Sequence, residues 1–139
     1  MMARKPKAKA IVLDSWSIIA YFEDEPAAEQ VESIIADAHE SGVPLLMTVV
    51  NAAEVWYIFA RESSAKEADQ SIAELQLLGI GFVDVDWSLS LKAAEFKSRH
   101  KMSLADCLAA ALAQDRKADL ATGDHEFKQV EGKVKIRWL

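Results

Sequence analysis

The chain has 139 residues, of which 51% are hydrophobic, and this is enough for the core of one domain of ordinary size. The net charge of −6 argues against nucleic-acid binding driven by total charge, and the single cysteine excludes an intramolecular disulfide. The apolar run after the basic start ends at Asp14, and no run approaches the roughly 18 residues that span a bilayer. We therefore expect a cytoplasmic protein without a signal peptide or a membrane segment.

The first third of the chain alternates between predicted strands and predicted helices. Residues 9–14 form an apolar, β-branched run typical of a buried strand, and residues 15–22 predict a short helix. A longer helix is predicted from Pro26, which suits a first helical position, to the sequence SGVP. Residues 44–48 predict a second buried strand.

Helices dominate the middle of the chain. Apolar residues at helical spacing predict one helix over residues 51–62 and another from Ser64 to Gly79. Residues 82–85 predict a third strand, and residues 88–99 predict the helix that follows it.

The last part of the chain completes the alternation. Residues 103–117 are rich in alanine and leucine and predict a helix, residues 118–122 predict a fourth strand, and residues 133–139 predict an edge strand. Strands that alternate with helices imply right-handed crossovers and a mainly parallel sheet. The sequence thus predicts a three-layer α/β/α sandwich in a single domain over residues 1–139, with residues 1–9 as a flexible basic arm.

Four carboxylates fall where such a sheet binds ligands, outside the C-terminal ends of its strands. Asp14 follows the first strand directly, and Asp124 lies two residues after the fourth strand. Glu54 and Asp106 lie near the starts of helices that begin at the same edge. We expect the four side chains to converge.

Each carboxylate also has an ordinary structural explanation. Glu54 and Asp106 lie three residues after Asn51 and Ser103, which is the spacing of a capping box, and the other two could cap the turns that follow them. Together, however, four acids at one edge would repel one another and raise one another's pKa values. A divalent cation removes that repulsion.

The donors available to such a cation are oxygen atoms. Carboxylates without histidine or cysteine at ligand spacing favour magnesium or manganese and fit zinc poorly. Magnesium held in this way commonly acts on phosphates. A glycine-rich phosphate loop is absent, His125 beside Asp124 is a candidate phosphate contact, and Cys107 is predicted to be a core residue.

Four segments of the sequence, each with one of the acids, resemble a known family. The segments are IVLDSWSIIAYFEDEP, TVVNAAEVWYIFAR, MSLADCLAAALAQ and LATGDHEFKQV, which together span residues 11–130. In this order they resemble the PIN-domain ribonucleases, and most closely the VapC-like toxins of bacterial and archaeal toxin–antitoxin pairs.

The resemblance implies a metal-dependent endoribonuclease. In the family the four acidic positions bind one or two magnesium or manganese ions and activate water for cleavage of RNA. Asp14 and Asp106 would be the closest ligands, while Glu54 and Asp124 would act directly or through water.

The resemblance also implies supporting residues at the site. Thr122 matches a polar position that supports the acids in the family. Ser15 and Asn51 are neighbours that are expected to orient carboxylates or water.

The resemblance further implies a homodimer and a small antitoxin that lays a C-terminal segment along a hydrophobic groove. Six aromatic residues are candidates for this groove or for the dimer face, and at least half of them are expected to belong to the core: Trp16, Tyr21, Phe22, Trp56, Tyr57 and Phe59. Two alternatives remain open. One is an RNA-processing PIN nuclease without an antitoxin, and the other is a weakly active PIN-like binding module.

Overall fold

A five-stranded sheet forms the centre of the computed structural model, which describes residues 8–139. Most of the predicted basic arm, residues 1–7, lies outside the described residues. The strands are β1 (Ile11–Leu13), β2 (Leu45–Thr48), β3 (Ile80–Val83), β4 (Asp119–Thr122) and β5 (Lys135–Trp138). The helices are α1 (Ser15–Phe22), α2 (Ala28–Ser41), α3 (Val49–Glu62), α4 (Ala65–Leu77), α5 (Trp87–Arg99) and α6 (Leu104–Arg116), and a 3₁₀ helix covers His125–Val130.

The sheet has the strand order β3-β2-β1-β4-β5, and each of its four pairings is parallel. Strand β5 lies at one edge, as the sequence predicted. The alternating strands and helices therefore build the predicted three-layer α/β/α fold, and the C-terminal ends of the strands meet at a single edge of the sheet.

Helices cover both faces of the sheet. Successive residues of the central strand β1 point to opposite faces, and their apolar side chains are buried on both. Val12 packs with α5 and α6, whereas Ile11 and Leu13 pack with α1, α2 and α3. Residues 107–113 of α6 are all buried, and this run includes Cys107, a core residue as predicted. The small alanine side chains of α6 let it approach the sheet closely.

Several element boundaries differ from the predictions by one or two residues. Strand β3 begins at Ile80, two residues early, because Gly79 adopts a left-handed conformation (φ 81°) and the chain enters the sheet directly after α4. Helix α3 begins at Val49 rather than at residue 51, since the Thr48 side chain caps it. Helix α2 begins at Ala28, two residues after Pro26.

Within residues 8–139, no helix combines the length and the apolar composition that crossing a membrane would require.

Candidate active site

The four predicted acids lie around one edge of the sheet. Asp14 follows β1, Asp124 follows β4, Glu54 lies in the second turn of α3, and Asp106 lies in the first turn of α6. The negative charges of Asp124, Asp14 and Glu54 all act on Asp106 and raise its pKa. The structure therefore places the four predicted carboxylates at one edge of the sheet, but only Asp106 and Asp124 belong to the group whose oxygens all lie within 4.8 Å of one another.

Asp14 is a buried carboxylate, with 1% of its surface exposed. Its Oδ1 accepts a hydrogen bond from the Ser17 amide (2.9 Å), and its Oδ2 accepts one from the Thr122 hydroxyl (2.6 Å). Burial raises the pKa of Asp14 to about 6, although these hydrogen bonds oppose the shift, and the charge of Asp124 adds to it. The supporting contact predicted for Thr122 is thus made to Asp14.

Asp106 is partly buried and has a pKa raised to about 7, first by burial and then by the charges of Asp124 and Asp14. From the sequence we expected repulsion between the acids to raise their pKa values. For Asp14 and Asp106 the larger cause is burial, because both carboxylates sit against the packed interior of the sheet edge.

Glu54 is oriented by two of the predicted supporting residues. Its Oε1 accepts hydrogen bonds from the Ser15 hydroxyl and from the Asn51 side-chain amide, both at 3.0 Å. The Thr48 hydroxyl donates to Oδ1 of Asn51 (3.1 Å), and Nδ2 of Asn51 also reaches the carbonyl of Ala105 (3.4 Å). The buried Asn51 therefore connects α3 to the start of α6, next to Asp106.

Capping accounts for part of the same geometry. Asp14 caps α1, and Asp124 caps the 3₁₀ helix through the amide of Glu126 (3.0 Å). Asn51 is not the cap of α3, because Thr48 occupies that position and accepts from the Asn51 amide (3.0 Å). Both capping aspartates lie at the same edge of the sheet as Glu54 and Asp106, so capping does not exclude a shared site.

Glu126 lies close to Asp106 and Asp124, although it was not among the acids predicted from the sequence. Carboxylate oxygens of Asp106, Asp124 and Glu126 all lie within 4.8 Å of one another. The sequence does show a second acid two residues after Asp124. However, a short 3₁₀ helix has no periodic pattern from which the direction of the Glu126 side chain could be predicted. The donors are all carboxylate oxygens, which are the ligands that hard divalent cations prefer.

A tryptophan ring packs on the backbone between two site residues. A Cβ atom at Gly123 would lie 2.2 Å from Cη2 of Trp16, so only glycine leaves room for the ring there. Gly123 separates Thr122 from Asp124 in the chain, and Trp16 thereby supports the segment that carries the acid.

The other aromatic candidates divide between the core and the surface. Tyr21, Phe22 and Phe59 pack against the core, and the Phe22 ring makes edge-to-face contacts with the other two at 5.4 and 5.5 Å. Trp56 and Tyr57 are 37% and 43% exposed on α3. Half of the six residues therefore pack against the core, as expected.

Comparisons with known proteins agree with this architecture. The PIN domain model matches residues 11–133, whereas no curated protein sequence gives a significant match. The structure is similar to that of VapC20 from Mycobacterium tuberculosis, a sarcin-ricin loop cleaving toxin, with a TM-score of 0.71, 17% identity and coverage of 92% of this chain and 99% of that chain.

Two complexes contain similar chains. For a toxin–antitoxin complex from Klebsiella pneumoniae the TM-score is 0.67 at 15% identity, over 92% of this chain and 96% of that chain. For VapBC2 from Rickettsia felis bound to promoter DNA it is 0.73 at 15% identity, over 94% and 98%. These structures share the fold, and the match of the domain model shows that the chain belongs to the PIN-domain family.

Proposed function

We propose that this protein is a magnesium-dependent endoribonuclease that hydrolyses RNA phosphodiester bonds and serves as the toxin of a toxin–antitoxin pair. The observation that carries the proposal is the placement of Asp14, Glu54, Asp106 and Asp124 at one edge of a PIN-family sheet. Manganese would substitute for magnesium, because both ions prefer oxygen donors.

The cation would be held by Asp106, Asp124 and Glu126, whose oxygens are mutually within 4.8 Å. Asp14 and Glu54 would contribute directly or through water. A divalent ion in such a site polarises a phosphoryl oxygen and lowers the pKa of the attacking water.

The remaining polar residues hold the acids in place. Ser17 and Thr122 each hold one oxygen of Asp14, and Ser15 and Asn51 hold Oε1 of Glu54. Because these carboxylates are fixed before substrate binds, little reorganisation is needed when an RNA phosphate enters the site.

An antitoxin partner is supported by the similarity to chains of the Klebsiella pneumoniae and Rickettsia felis complexes. We place its contact on the outer face of α3, where Trp56 and Tyr57 are exposed. A homodimer is also proposed, as the family implies.

Purified protein, free of any antitoxin, provides the test. We expect it to cleave structured RNA with Mg²⁺ or Mn²⁺ and not with EDTA. Asp14→Asn and Asp106→Asn should each lose about 100-fold or more in cleavage rate, since each removes a charge from the cluster. Asp37→Asn, an exposed acid on α2, is the matched control and should keep the wild-type rate. Cleavage that persists in EDTA or in both site variants would contradict the mechanism.

The toxin assignment needs a test in cells. Expression should arrest growth, and co-expression of the small protein encoded beside the gene should relieve the arrest. Expression of Asp106→Asn should not arrest growth. Cleavage in the tube without arrest in cells would favour an RNA-processing nuclease instead.

A further inference from the structure

We propose that His125 and Trp138 form a stacking platform for the nucleobase beside the phosphodiester that is cleaved; this proposal rests on the proposed ribonuclease function. The two rings are stacked, with centroids 6.3 Å apart and planes inclined by 29°. Neither residue has a part in the metal chemistry proposed above.

The location of Trp138 places this pair beside the acid cluster. Trp138 is the register partner of Thr122 across the β4–β5 pairing, and the amide of Leu139 donates to the Thr122 carbonyl (3.1 Å). The Thr122 side chain in turn contacts Asp14. The aromatic pair therefore lies at the same edge of the sheet as the acids, on its β5 side.

Trp138 is the fixed member of the pair. Its ring packs against the core on the α5–α6 face, and its Nε1 donates to Oε2 of Glu131 (3.3 Å). His125 is exposed and stands between Asp124 and Glu126 in the chain. An anchored indole thus stacks with an exposed imidazole, and the histidine lies between Asp124 and Glu126 in the chain.

This arrangement suits an unpaired RNA base. Bases that are splayed out of single-stranded RNA stack on aromatic rings, including histidine. The chain has a net charge of −6, so its total charge does not attract the RNA backbone. Stacking needs no positive charge and can supply the missing affinity.

Other exposed aromatic residues lack this combination. Trp87 is 75% exposed at the start of α5, and the Tyr57 ring already carries the Arg61 guanidinium 5.3 Å from its centroid. Trp87 is therefore a suitable control for the loss of an exposed aromatic ring.

The experiment measures cleavage kinetics on a short single-stranded RNA that contains the site mapped with the wild-type enzyme. His125→Ala and Trp138→Ala should raise KM on the order of 10-fold while kcat changes little, because base stacking contributes to binding. His125→Phe should restore most of the affinity, and Trp87→Ala should match the wild type. Because His125 is exposed, its variants test the proposal even if Trp138→Ala folds poorly.

A second substrate isolates the base. An RNA with an abasic nucleotide beside the cleaved phosphodiester should bind the wild type on the order of 10-fold more weakly, and His125→Ala should add little further loss. Unchanged KM values for His125→Ala, or equal losses on the intact and the abasic RNA, would overturn the platform alone. Absence of cleavage by the wild type with Mg²⁺ or Mn²⁺ would overturn the ribonuclease function and the platform with it.

Discussion

The hydroxyl of Thr122 donates a 2.6 Å hydrogen bond to Oδ2 of Asp14, although the two residues are 108 positions apart in the chain. Both side chains are buried, and the same hydroxyl accepts a hydrogen bond from the amide of Asp124 (3.0 Å). One buried oxygen atom thus positions two of the four acids, and it does so across the β1–β4 pairing at the centre of the sheet.

Thr122→Val should damage stability and metal binding together. The valine keeps the volume but leaves Oδ2 of Asp14 and the amide of Asp124 without their partner, so we expect the free energy of unfolding to fall by about 2 kcal/mol. The pKa of Asp14 should also rise further, because the Thr122 hydrogen bond lowers it. Urea denaturation and calorimetric titration with Mn²⁺ measure the two effects. Thr122→Ser restores the hydroxyl, and a serine variant as impaired as the valine variant would contradict this role.

Metal-free protein should lose stability as the pH rises from about 4 to 7. The pKa of Asp14 rises from 3.8 to about 6 on folding, mainly through burial, so the folded state binds more protons than the unfolded state between these values. Through Asp14 alone, the free energy of unfolding is therefore about 3 kcal/mol lower above pH 6 than below pH 3.8. Asp106, with a pKa raised to about 7, extends the pH range of this stability loss to about pH 7.

Thermal unfolding in EDTA across this pH range measures the effect. Asp14→Asn should give a flatter profile, because the amide does not titrate. Added Mn²⁺ should raise the unfolding temperature more at pH 7.5 than at pH 5, since protons compete with the cation for the carboxylates. A wild-type profile that rises between pH 4 and 7 in EDTA would contradict the predicted sign.

Glu126→Gln should weaken cation binding. The substitution removes one of the three carboxylates whose oxygens lie within 4.8 Å of one another, and we expect the Kd for Mn²⁺ to rise about 10-fold. Calorimetry measures this change, and Glu40→Gln, an exposed substitution on α2, is the control. Equal affinities for the wild type and Glu126→Gln would remove Glu126 from the set of ligands.

Gly123→Ala should displace Trp16. The added methyl group would lie 2.2 Å from Cη2 of the ring, and such overpacking typically costs about 1–3 kcal/mol of stability. Metal affinity should fall as well, because Asp124 follows directly in the chain. Gly132→Ala is the matched control, since a Cβ there meets no atom within 4 Å. Combining Gly123→Ala with Trp16→Leu should recover part of the lost stability, and failure to do so would indicate another cause.

The order of the elements and the position of the acids could be predicted from the sequence because both depend on local patterns. Asp14 follows an apolar run, and alternation of strands with helices sends the ends of parallel strands to a single edge. Several details could not be predicted, and two of them show why. Strand β3 was predicted two residues late. Gly81 interrupts the apolar pattern of this edge strand, although its pairing begins at Ile80.

The second detail is Glu126. Its approach to Asp106 depends on how a 3₁₀ turn docks against the start of α6, which is a tertiary arrangement with no signal in the local sequence. The dominance of burial over charge repulsion in the pKa values of Asp14 and Asp106 is likewise a property of packing.

The sheet order determines when this centre can exist during synthesis. Asp14 and Glu54 emerge early, but the hydroxyl of Thr122 and the carboxylates of Asp124 and Glu126 come from β4 and the turn after it, near the end of the chain. A nascent chain that ends at α6 has neither the central β1–β4 pairing nor a complete set of ligands. Incomplete copies of this chain are therefore expected to be inactive, because the proposed metal centre assembles only once β4 has joined the sheet.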